Sequence, residues 1–403
     1  MRYTIGELAE IIDGDRGKNY PQQSEFMPEG YCLFLNTGNV TVSGFSFENN
    51  QFISKEKSDL LRKGKLKRRD IVYTTRGTVG NAGFFSERIP YEHIRINSGM
   101  VIIRPNESVV CTEFLYQILK SSDYRSYFQQ YCTGSAQPQL PIKNLSRIEL
   151  NIPTLERQHQ IAKILSAYDD LIENNQKQIK LLEEAAQRLY KEWFVDLRFP
   201  GHENTKIVNG VPEGWRVTVL SEIASVNKKN VSKLYPYEYI DYTDIGSVSM
   251  GRIKSTTRFT TKDVPGRAKR IAFDGDVIWG MVRPNLRSYA LVFHPTETSV
   301  FSTGFAILHA EKVPFSFLYC YVTQDDFIGY LINCTNGAAY PAVKPIHFEN
   351  ANFLLPTEKI LNKFHALTGP MFRKIEILEQ KIRQATEAHN RLLPRIMNGE
   401  LEV

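Results

Sequence analysis

The sequence predicts an α+β protein built from one unit that is present twice, each copy holding a small α/β domain and a long helix. Three observations lead to this prediction. Short matches recur along the chain at an offset near 203 residues, β-like runs fill the first part of each copy, and an apolar heptad pattern fills the last part. At roughly 150 residues per domain, a length of 403 residues allows two or three domains.

The internal repeat keeps one order along the chain. Its offset is 203 near the end of each copy, 206 between Asp70 and Asp276, and 215 between Glu7 and Glu222, as loop insertions would cause. Because a repeat near 200 residues is too long for a solenoid, it indicates a duplicated domain with a connector. The matching segments are Glu7–Ala9 with Glu222–Ala224, Asp70–Tyr73 with Asp276–Trp279, Asn97–Ile102 with Ser302–Ile307, Phe114–Tyr116 with Phe317–Tyr319, Gly134–Pro138 with Gly337–Pro341, Ile152–Thr154 with Leu355–Thr357, and Arg188–Leu189 with Arg391–Leu392.

The first part of each copy is predicted to be a mixed α/β or mainly β domain, at 1–153 and at 197–355 with its core at 212–355. Its short runs are rich in β-branched and aromatic residues and are bounded by Gly, Asn and Pro, as is typical of strands. Helical patches intervene at 113–119 and 316–322. The predicted strands are Cys32–Leu35, Asp70–Tyr73 and Met100–Ile103, then Tyr239–Asp241, Asp276–Trp279 and Phe305–Leu308.

The last part of each copy is predicted to be a long helix, at 154–196 and at 356–403, with Thr154 as the N-cap of the first. Apolar residues follow steps of four and three there, a heptad seam that is typical of a coiled coil. Because each helix returns from a separate domain, we expect the two to pair antiparallel. The span from Ile161 to Trp193 is about 50 Å at 1.5 Å per residue. The seam residues are Ile161, Leu165, Tyr168, Ile172, Asn175, Ile179, Leu182, Ala186, Leu189 and Trp193, then Phe364, Thr368, Met371, Ile375, Leu378, Ile382, Ala385, His389 and Leu392.

Three seam features depart from the apolar pattern. Asn175 either fixes the register of the pair or lies partly exposed at a loose crossing. His389 is expected to be a packing residue. Gly369-Pro370 interrupts the second helix, so we expect a kink or a break there.

Composition and charge exclude several classes of protein. Hydrophobic residues make up 42% and charged residues 23%, as in a globular protein, and the net charge is +6. The blocks 1–153 and 197–355 each carry three more basic than acidic residues. No run of 18 apolar residues occurs and Glu7 and Glu10 interrupt the N-terminus, so we expect a cytoplasmic protein without a membrane segment. Five cysteines without a CxxC pair argue against a zinc site or a disulfide framework.

No catalytic motif is found in the sequence. It lacks the phosphate loop GxxxxGK[ST], HExxH, GxSxG, GxGxxG and the Asp/Asn-Pro-Pro-Tyr/Phe tetrapeptide of amino-methyltransferases. We therefore expect a chain that is not an enzyme and holds no metal or cofactor. One alternative is a stand-alone DNA nuclease or methyltransferase with an unrecognised site near Asp70 and Asp276. Another is a coiled-coil adaptor that binds only proteins.

Basic residues at matched positions in the two copies indicate a DNA-binding role. Clustered Lys and Arg form the electrostatic footprint of phosphate binding. The loops after the strands add side chains that can read bases, since Arg pairs with guanine and Asn with adenine. The candidate DNA contacts are Arg62, Lys63, Lys65, Lys67, Arg68, Arg69, Thr75, Arg76 and Gln137 in the first copy, and Lys262, Arg267, Lys269, Arg270, Arg283, Asn285, Arg287, Tyr340 and Lys344 in the second.

Three segments resemble conserved regions of the specificity subunits of type I restriction-modification systems. Residues 152–201 are similar to the central conserved region of that family. VPEGWRVTVLSEIA at 211–224 resembles the opening of a target recognition domain, and RLLPRIMNGELEV at 391–403 resembles the distal conserved region. The first domain departs from the family pattern because it lacks a PEGW-like opening.

The resemblance implies two similar α/β target recognition domains separated by two long antiparallel helices that form a coiled coil, with a pseudo-twofold internal repeat. Each domain would read one half of a bipartite site on double-stranded DNA. The helices would dock two methyltransferase (modification) subunits, which would bind S-adenosylmethionine and methylate adenine N6. Restriction subunits would join with ATP and Mg²⁺. A helix of about 50 Å would separate the half-sites by roughly 15 base pairs at 3.4 Å per base pair.

Overall fold

The protein is described by a computed structural model that covers residues 1–134, 137–232, 235–335, 341–397 and 400. The chain divides into two compact units. Unit 1 comprises Met1–Asn174 and Lys381–Val403, and unit 2 comprises Asn175–Gln380. Within the described ranges, no helix is both long enough and apolar enough to cross a membrane.

Unit 1 holds a domain of short strands and helices. A four-stranded antiparallel sheet with the order β2-β10-β7-β8 stands at its centre, beside a three-stranded sheet with the order β6-β3-β9. Two-stranded ladders join β1 to β11 and β4 to β5. The elements are β1 (Arg2–Thr4), α1 (Ile5–Leu8), β2 (Ala9–Asp13), β3 (Cys32–Leu35), β4 (Val40–Thr41), β5 (Gly44–Phe45), β6 (Phe52–Ile53), α2 (Lys55–Leu60), β7 (Ile71–Thr74), β8 (Ala82–Phe84), β9 (Ile94–Ile96), β10 (Met100–Pro105), α3 (Thr112–Lys120), α4 (Ser122–Gln129), α5 (Ile142–Leu145), β11 (Glu149–Asn151) and the start of the long helix α6 (Leu155–Tyr190).

Unit 2 repeats this arrangement. Its four-stranded sheet has the order β15-β25-β22-β23, and its second sheet has the order β16-β21-β24-β17-β20. Helix α6 ends in a π-helical turn at Lys191–Val195. The elements that follow are β12 (Ile207–Val208), β13 (Val211–Pro212), β14 (Arg216–Val219), β15 (Ala224–Val226), β16 (Lys229–Asn230), β17 (Tyr239–Thr243), β18 (Val248–Ser249), β19 (Arg252–Ile253), β20 (Thr257–Thr260), β21 (Ala268–Ile271), β22 (Val277–Gly280), β23 (Tyr289–Leu291), β24 (Ser299–Ser302), β25 (Phe305–Ala310), α7 (Phe315–Val322), α8 (Asp325–Asn333), α9 (Pro345–Glu349), β26 (Asn352–Leu355) and the long helix α10 (Glu358–Met397).

The two domains share strand register as well as strand order. Residues that face each other in one domain are matched in the other at the offsets found in the sequence, so the predicted internal repeat is confirmed. The equivalent pairs are Ile71–Ile103 and Val277–Leu308 in the central sheets, Ile11–Ile103 and Val226–Leu308 beside them, and Arg2–Asn151 and Val217–Leu354 in the outer ladders.

Each predicted strand and helical patch is present. Strand β3 has its predicted bounds, and β10 and β25 run two residues farther than predicted. Strands β7 and β22 begin one residue late, after Asp70 and Asp276. These two aspartates stay outside the strands because each carboxylate accepts a backbone N–H from three residues earlier, which closes a turn.

The two long helices run antiparallel, as predicted. In unit 1 the start of α6 and the end of α10 share one core, in which Ile161 and Leu165 lie with Leu393 and Ile396. In unit 2 the end of α6 meets the start of α10 in an aromatic cluster. The ring centroids of Phe194 and Phe364 are 5.0 Å apart there. Edge-to-face pairs of this kind add stability beyond the burial of their area.

The seam side chains of both helices are buried or half-buried. Asn175 is 3% exposed, so its side chain is enclosed and does not lie at a loose, solvent-exposed crossing. Its Nδ2 has no hydrogen-bond partner within the described part of the chain. An enclosed amide of this kind favours the register-fixing role, because a slip of the pair would place it against apolar side chains.

Of the predicted kink or break at Gly369-Pro370, the break is wrong, because α10 is a single helix from Glu358 to Met397. Proline removes one backbone donor from a helix, here the N–H that would bond to the carbonyl of Ala366. Buried Phe364 and Phe372 lie on either side of the pair. Their packing outweighs the local cost of the missing bond.

His389 belongs to a buried polar cluster in unit 1. The ring is 8% exposed, and its Nε2 lies 3.0 Å from Gln117 Oε1. Gln117 Nε2 donates to Asp169 at 2.6 Å, and Lys120 Nζ donates to the same carboxylate at 2.8 Å. The cluster therefore ties α3 of the domain to both long helices. Burial lowers the pKa of His389.

Candidate nucleic-acid interface

Four loops of unit 1 meet just beyond the end of β7. Thr75 N–H donates to Gly99 O at 2.9 Å, and Leu140 N–H donates to Thr75 O at 3.0 Å. Thr37 completes the set, because its Cγ2 lies 2.8 Å from the point where a Cβ on Gly99 would stand. We call this set the loop edge of unit 1. It comprises 36–39, 74–81, 97–99 and the described residues of 133–140.

Unit 2 builds the same edge from the equivalent loops. Met281 N–H donates to Gly304 O at 2.8 Å, and Val343 N–H donates to Met281 O at 2.9 Å, which repeats both bonds of unit 1. Ile245 takes the place of Thr37 and stands where a side chain on Gly304 would lie. The loop edge of unit 2 comprises 244–247, 281–287, 302–304 and 341–343.

Arg76 lies at the centre of the loop edge of unit 1. Its backbone forms a β-bridge with Gln139, and its N–H donates to Gly99 O at 3.1 Å. The side chain is half-exposed, and its guanidinium has no hydrogen-bond or ion-pair partner among the described residues. Arg76 is thus held firmly by its backbone while its five N–H donors stay available to a ligand.

The equivalent of Arg76 in unit 2 is Val282, which forms the matching β-bridge with Ala342. The sequence placed Arg76 and Arg283 in corresponding loops, but the structure shows that they are not equivalent. Arg283 follows one position later, in the left-handed region at φ 51°, and its N–H donates to Pro341 O at 2.8 Å. Arg283 and Asn285 are exposed at this edge, and so is Lys344 just beyond it.

The basic run of unit 1 begins as an exposed segment beside β9. Leu66 N–H donates to Ile94 O and Ile96 N–H donates to Gly64 O, both at 3.0 Å, so the run forms an additional strand-like edge. The residues Arg62, Lys63, Lys65 and Lys67 are all exposed. The structure keeps these four cations on the surface, where a phosphate backbone can reach them.

Arg68 and Arg69 close the run and have partners inside the fold. Arg68 donates to the carbonyls of Ser86 and Ile89 at 2.7 and 3.0 Å, and its guanidinium stacks over the ring of Phe85. Arg69 forms ion pairs with Glu107 and Glu113. We leave these two arginines out of the proposed DNA contacts, because their guanidinium groups already bond within unit 1.

The basic run of unit 2 borders its loop edge. The carbonyl of Arg267 accepts the N–H of Thr303 at 2.8 Å, which places this exposed arginine beside Gly304. Lys262 and Lys269 are exposed as well. Arg270 and Arg287 have internal partners instead.

Both arginines donate a hydrogen bond to a side chain of their own unit. Arg270 donates to Asn230 at 2.9 Å, and burial lowers the pKa of its guanidinium. Arg287 donates to Asp325 at 2.6 Å. We therefore leave Arg270 and Arg287 out of the proposed DNA contacts as well.

The remaining predicted contacts differ in their surroundings. Thr75 is 4% exposed, and its hydroxyl donates to Gly99 O, so it holds the loop and is withdrawn as a base reader. Gln137 is exposed at the loop edge of unit 1. Tyr340 lies outside the described residues.

Two arginines at the loop edge of unit 1 were not found from the sequence. Arg16 donates to Ser98 O at 3.3 Å although the two residues are 82 positions apart. Arg125, on α4, packs its aliphatic chain on Gly80, and its buried Nε has no hydrogen-bond partner in the part of the chain that the structure describes. Neither lies in a basic run or follows a predicted strand, so no local signal marks them.

The carboxylates of the nuclease alternative, Asp70 and Asp276, are structural. Each is 1% exposed. Arg104 donates to Asp70 at 2.9 and 2.8 Å, and the equivalent His309 lies 2.6 Å from Asp276. Burial raises the pKa of Asp276. Throughout the described ranges, no three His, Cys, Asp or Glu side chains come together as a metal site would require.

Comparison with known proteins connects this geometry to a family. Residues 1–184 match the family model described as the type I restriction modification DNA specificity domain. The type I restriction enzyme MjaIX specificity subunit of Methanocaldococcus jannaschii is 26% identical over 83% of this chain and 78% of its own length. The HindI specificity subunit of Haemophilus influenzae is 23% identical over 98% of this chain and its full length.

A solved structure supports the fold. The crystal structure of a type I restriction-modification S subunit from M. genitalium aligns with a TM-score of 0.59 at 15% identity, covering 98% of this chain and 94% of that one. The shared fold contains one domain and its loop edge twice in the chain. Residues 1–184 match the model of the type I DNA specificity domain, and the predicted resemblance of the chain to type I specificity subunits is confirmed.

Proposed function

We propose that the chain reads a bipartite DNA site, with the loop edge of unit 1 on one half-site and the loop edge of unit 2 on the other. The observation that carries this proposal is the duplication of the edge. Two loop sets with the same backbone bonds, each bordered by exposed basic residues, offer two separate reading surfaces. Two copies of one reading device on one chain suit two half-sites with an unread segment between them.

Exposed cations supply the affinity that is independent of sequence. In unit 1 these are Arg62, Lys63, Lys65 and Lys67, and in unit 2 they are Lys262, Arg267 and Lys269. Contacts to phosphates position a protein on the duplex without reading bases. Base reading falls to the loop-edge side chains Arg76 and Gln137 in unit 1, and to Arg283, Asn285 and the nearby Lys344 in unit 2.

We further propose that the chain acts without catalysis of its own, as the recognition subunit of a larger complex. The long helices α6 and α10 would dock two methyltransferase subunits, and restriction subunits would join them. S-adenosylmethionine, ATP and Mg²⁺ would then bind to those partners. Because the complex would act on cellular DNA, we also propose that it is cytoplasmic.

Selection from a random duplex library tests the proposal. The full chain, assembled with the modification subunits of its own system, should enrich two short defined sequences at a fixed separation. Binding should weaken steeply as salt rises, since phosphate contacts release counterions. A single contiguous motif would contradict the bipartite site. Binding without any sequence preference would contradict base reading.

The two alternatives give different results. An enzyme would cleave or methylate DNA when the purified chain alone is supplied with Mg²⁺ and S-adenosylmethionine, and the proposal predicts neither reaction. An adaptor that binds only proteins would show no DNA affinity at low salt. The variant Arg76→Ala distinguishes the proposal from the adaptor alternative. It should change the sequence preference of DNA binding and leave the association with modification subunits intact.

A further inference from the structure

The two loop edges share a backbone but differ in chemistry. Where unit 1 places polar or charged side chains, unit 2 places aliphatic ones. The structurally equivalent pairs, given as unit 1 then unit 2, are Thr37 and Ile245, Thr75 and Met281, Arg76 and Val282, and Gln139 and Ala342. Two of these pairs reach solvent, Arg76 with Val282 and Gln139 with Ala342, whereas Thr75 is buried and Ile245 packs against the core of unit 2.

The aliphatic groups of unit 2 reach solvent. Val282 is half-exposed, Ala342 is exposed, and Leu286 at the end of the same loop is 58% exposed. The β-bridge between Val282 and Ala342 fixes the first two side by side. Exposed apolar side chains that lie together on one surface can mark a binding site.

The charges around this apolar face indicate the class of its ligand. Exposed Arg283 adjoins Val282, Lys344 lies two positions beyond Ala342, and Arg267 borders Gly304. An aliphatic patch bordered by cations suits an anionic ligand that also presents an apolar group. On the major-groove edges of base pairs, the C5-methyl group of thymine is that apolar group.

We propose that unit 2 reads thymine through methyl contacts from Val282 and Ala342, with Leu286 adding to the same surface. This inference rests on the proposed function, because it assumes that unit 2 contacts one half-site. Unit 1 presents the polar side chains of Arg76 and Gln139 at the equivalent places and reads by the hydrogen bonds of Arg76 and Gln137. Unit 2 thus adds methyl contacts to the hydrogen bonds of Arg283 and Asn285, whereas unit 1 reads by hydrogen bonds alone.

Replacement of thymine by deoxyuridine tests the proposal, because it removes only the C5-methyl group. The full chain with its modification subunits is titrated with duplexes in which the thymines of one half-site are replaced. In the half-site of unit 2, each methyl that is contacted should cost about fourfold in Kd, the size expected for one buried methyl group. In the half-site of unit 1 the change should stay within about twofold, since Arg76 and Gln139 do not depend on that group.

Variants assign the half-sites and supply the control. Val282→Ala should reduce the discrimination between thymine and deoxyuridine in one half-site, and Arg76→Ala should relax the other. Val217→Ala is the matched control, because Val217 is 65% exposed on β14, outside the loop edge. It should leave discrimination unchanged. Thermal unfolding of each variant establishes that the fold is intact.

Three outcomes overturn the inference and leave the proposed function standing. They are a bipartite site whose unit 2 half contains no thymine, equal binding of thymine and deoxyuridine in that half, and unchanged discrimination in Val282→Ala. Loss of sequence-specific binding in the unaltered chain would instead contradict the proposed function itself.

Discussion

Arg76 and Val282 occupy equivalent positions in the two repeats. Each forms a β-bridge with a residue in the last loop of its domain, and the side chain that follows that residue is aliphatic and buried. The bond from Leu140 to Thr75 in unit 1 and the bond from Val343 to Met281 in unit 2 fix both positions in the same way. One backbone therefore presents a guanidinium in one unit and an isopropyl group in the other. Specificity can change at such a position without a change in fold.

Arg76→Ala should relax specificity at one base pair. A bidentate contact to guanine contributes about 1–3 kcal/mol of discrimination against other bases, so single-base variants at that position should approach the affinity of the preferred sequence. Competition binding with a panel of substituted duplexes measures this. A uniform loss of affinity for the whole panel would assign Arg76 to phosphate contact.

Lys65→Ala should weaken binding to all sequences alike. The side chain is exposed beside β9 and has no partner within the described ranges, so its loss removes about one phosphate contact. The slope of log K against log salt should fall by about one. An unchanged slope would contradict the contact.

Arg68→Ala is the matched comparison for Lys65→Ala. Its guanidinium bonds to Ser86 O and Ile89 O and stacks over Phe85, so its loss should lower the melting temperature and leave the salt slope unchanged. Nearness in sequence does not make the two cations equivalent. A fall in slope equal to that of Lys65→Ala would return Arg68 to the DNA contacts.

Asp70→Asn should destabilise unit 1 on the order of 3 kcal/mol, because it removes the buried negative charge that pairs with the guanidinium of Arg104. Asp123→Asn on exposed α4 is the control and should stay within about 0.5 kcal/mol. Chemical denaturation followed by circular dichroism measures both. If Asp70 were instead catalytic, the variant would abolish a reaction of the isolated chain while stability changed little.

His389 makes stability depend on pH. Burial lowers the pKa of the folded ring below its ordinary value of 6.5, so the unfolded chain takes up a proton first as the pH falls. The free energy of unfolding should therefore decrease between about pH 7 and pH 5. His389→Gln should flatten this dependence, measured by denaturation at several pH values.

A second histidine leaves a residual dependence in that variant. Burial also lowers the pKa of His365, which acts with the same sign in unit 2. The slope in His389→Gln should therefore be reduced and still present, and His365→Gln should remove a further part. An unchanged slope in His389→Gln would show that burial does not lower the pKa of this ring in the folded chain.

The repeat and its elements could be predicted because they depend on local patterns. Short runs of β-branched and aromatic residues predicted β3, β7 and β10, and the heptad steps predicted α6 and α10. The predicted break at Gly369-Pro370 is absent for a physical reason. The prediction rested on the local helix breaker alone and did not include the packing of Phe364 and Phe372. Helices in proteins are stabilised more by tertiary packing than by propensity.

The loop edges could be predicted only in part. Arg76 could be identified as a candidate because it follows a predicted strand. That its equivalent is Val282, and not the arginine one residue later, depends on bonds across the fold. Six clustered cations could not be divided into free and bound, because the partners of Arg68 and Arg69 lie 18 to 44 residues away. Arg16 was missed for the same reason, as its contact with Ser98 spans 82 residues.

Methylome sequencing tests the central claim most directly. The chain is expressed with its modification partner in a host that lacks a related system, and new N6-methyladenine is mapped across the genome. The account predicts one bipartite motif, with two defined half-sites at a fixed separation, and Arg76→Ala should make one position of one half-site degenerate. A contiguous motif, or no new methylation from a complex that assembles, would contradict it.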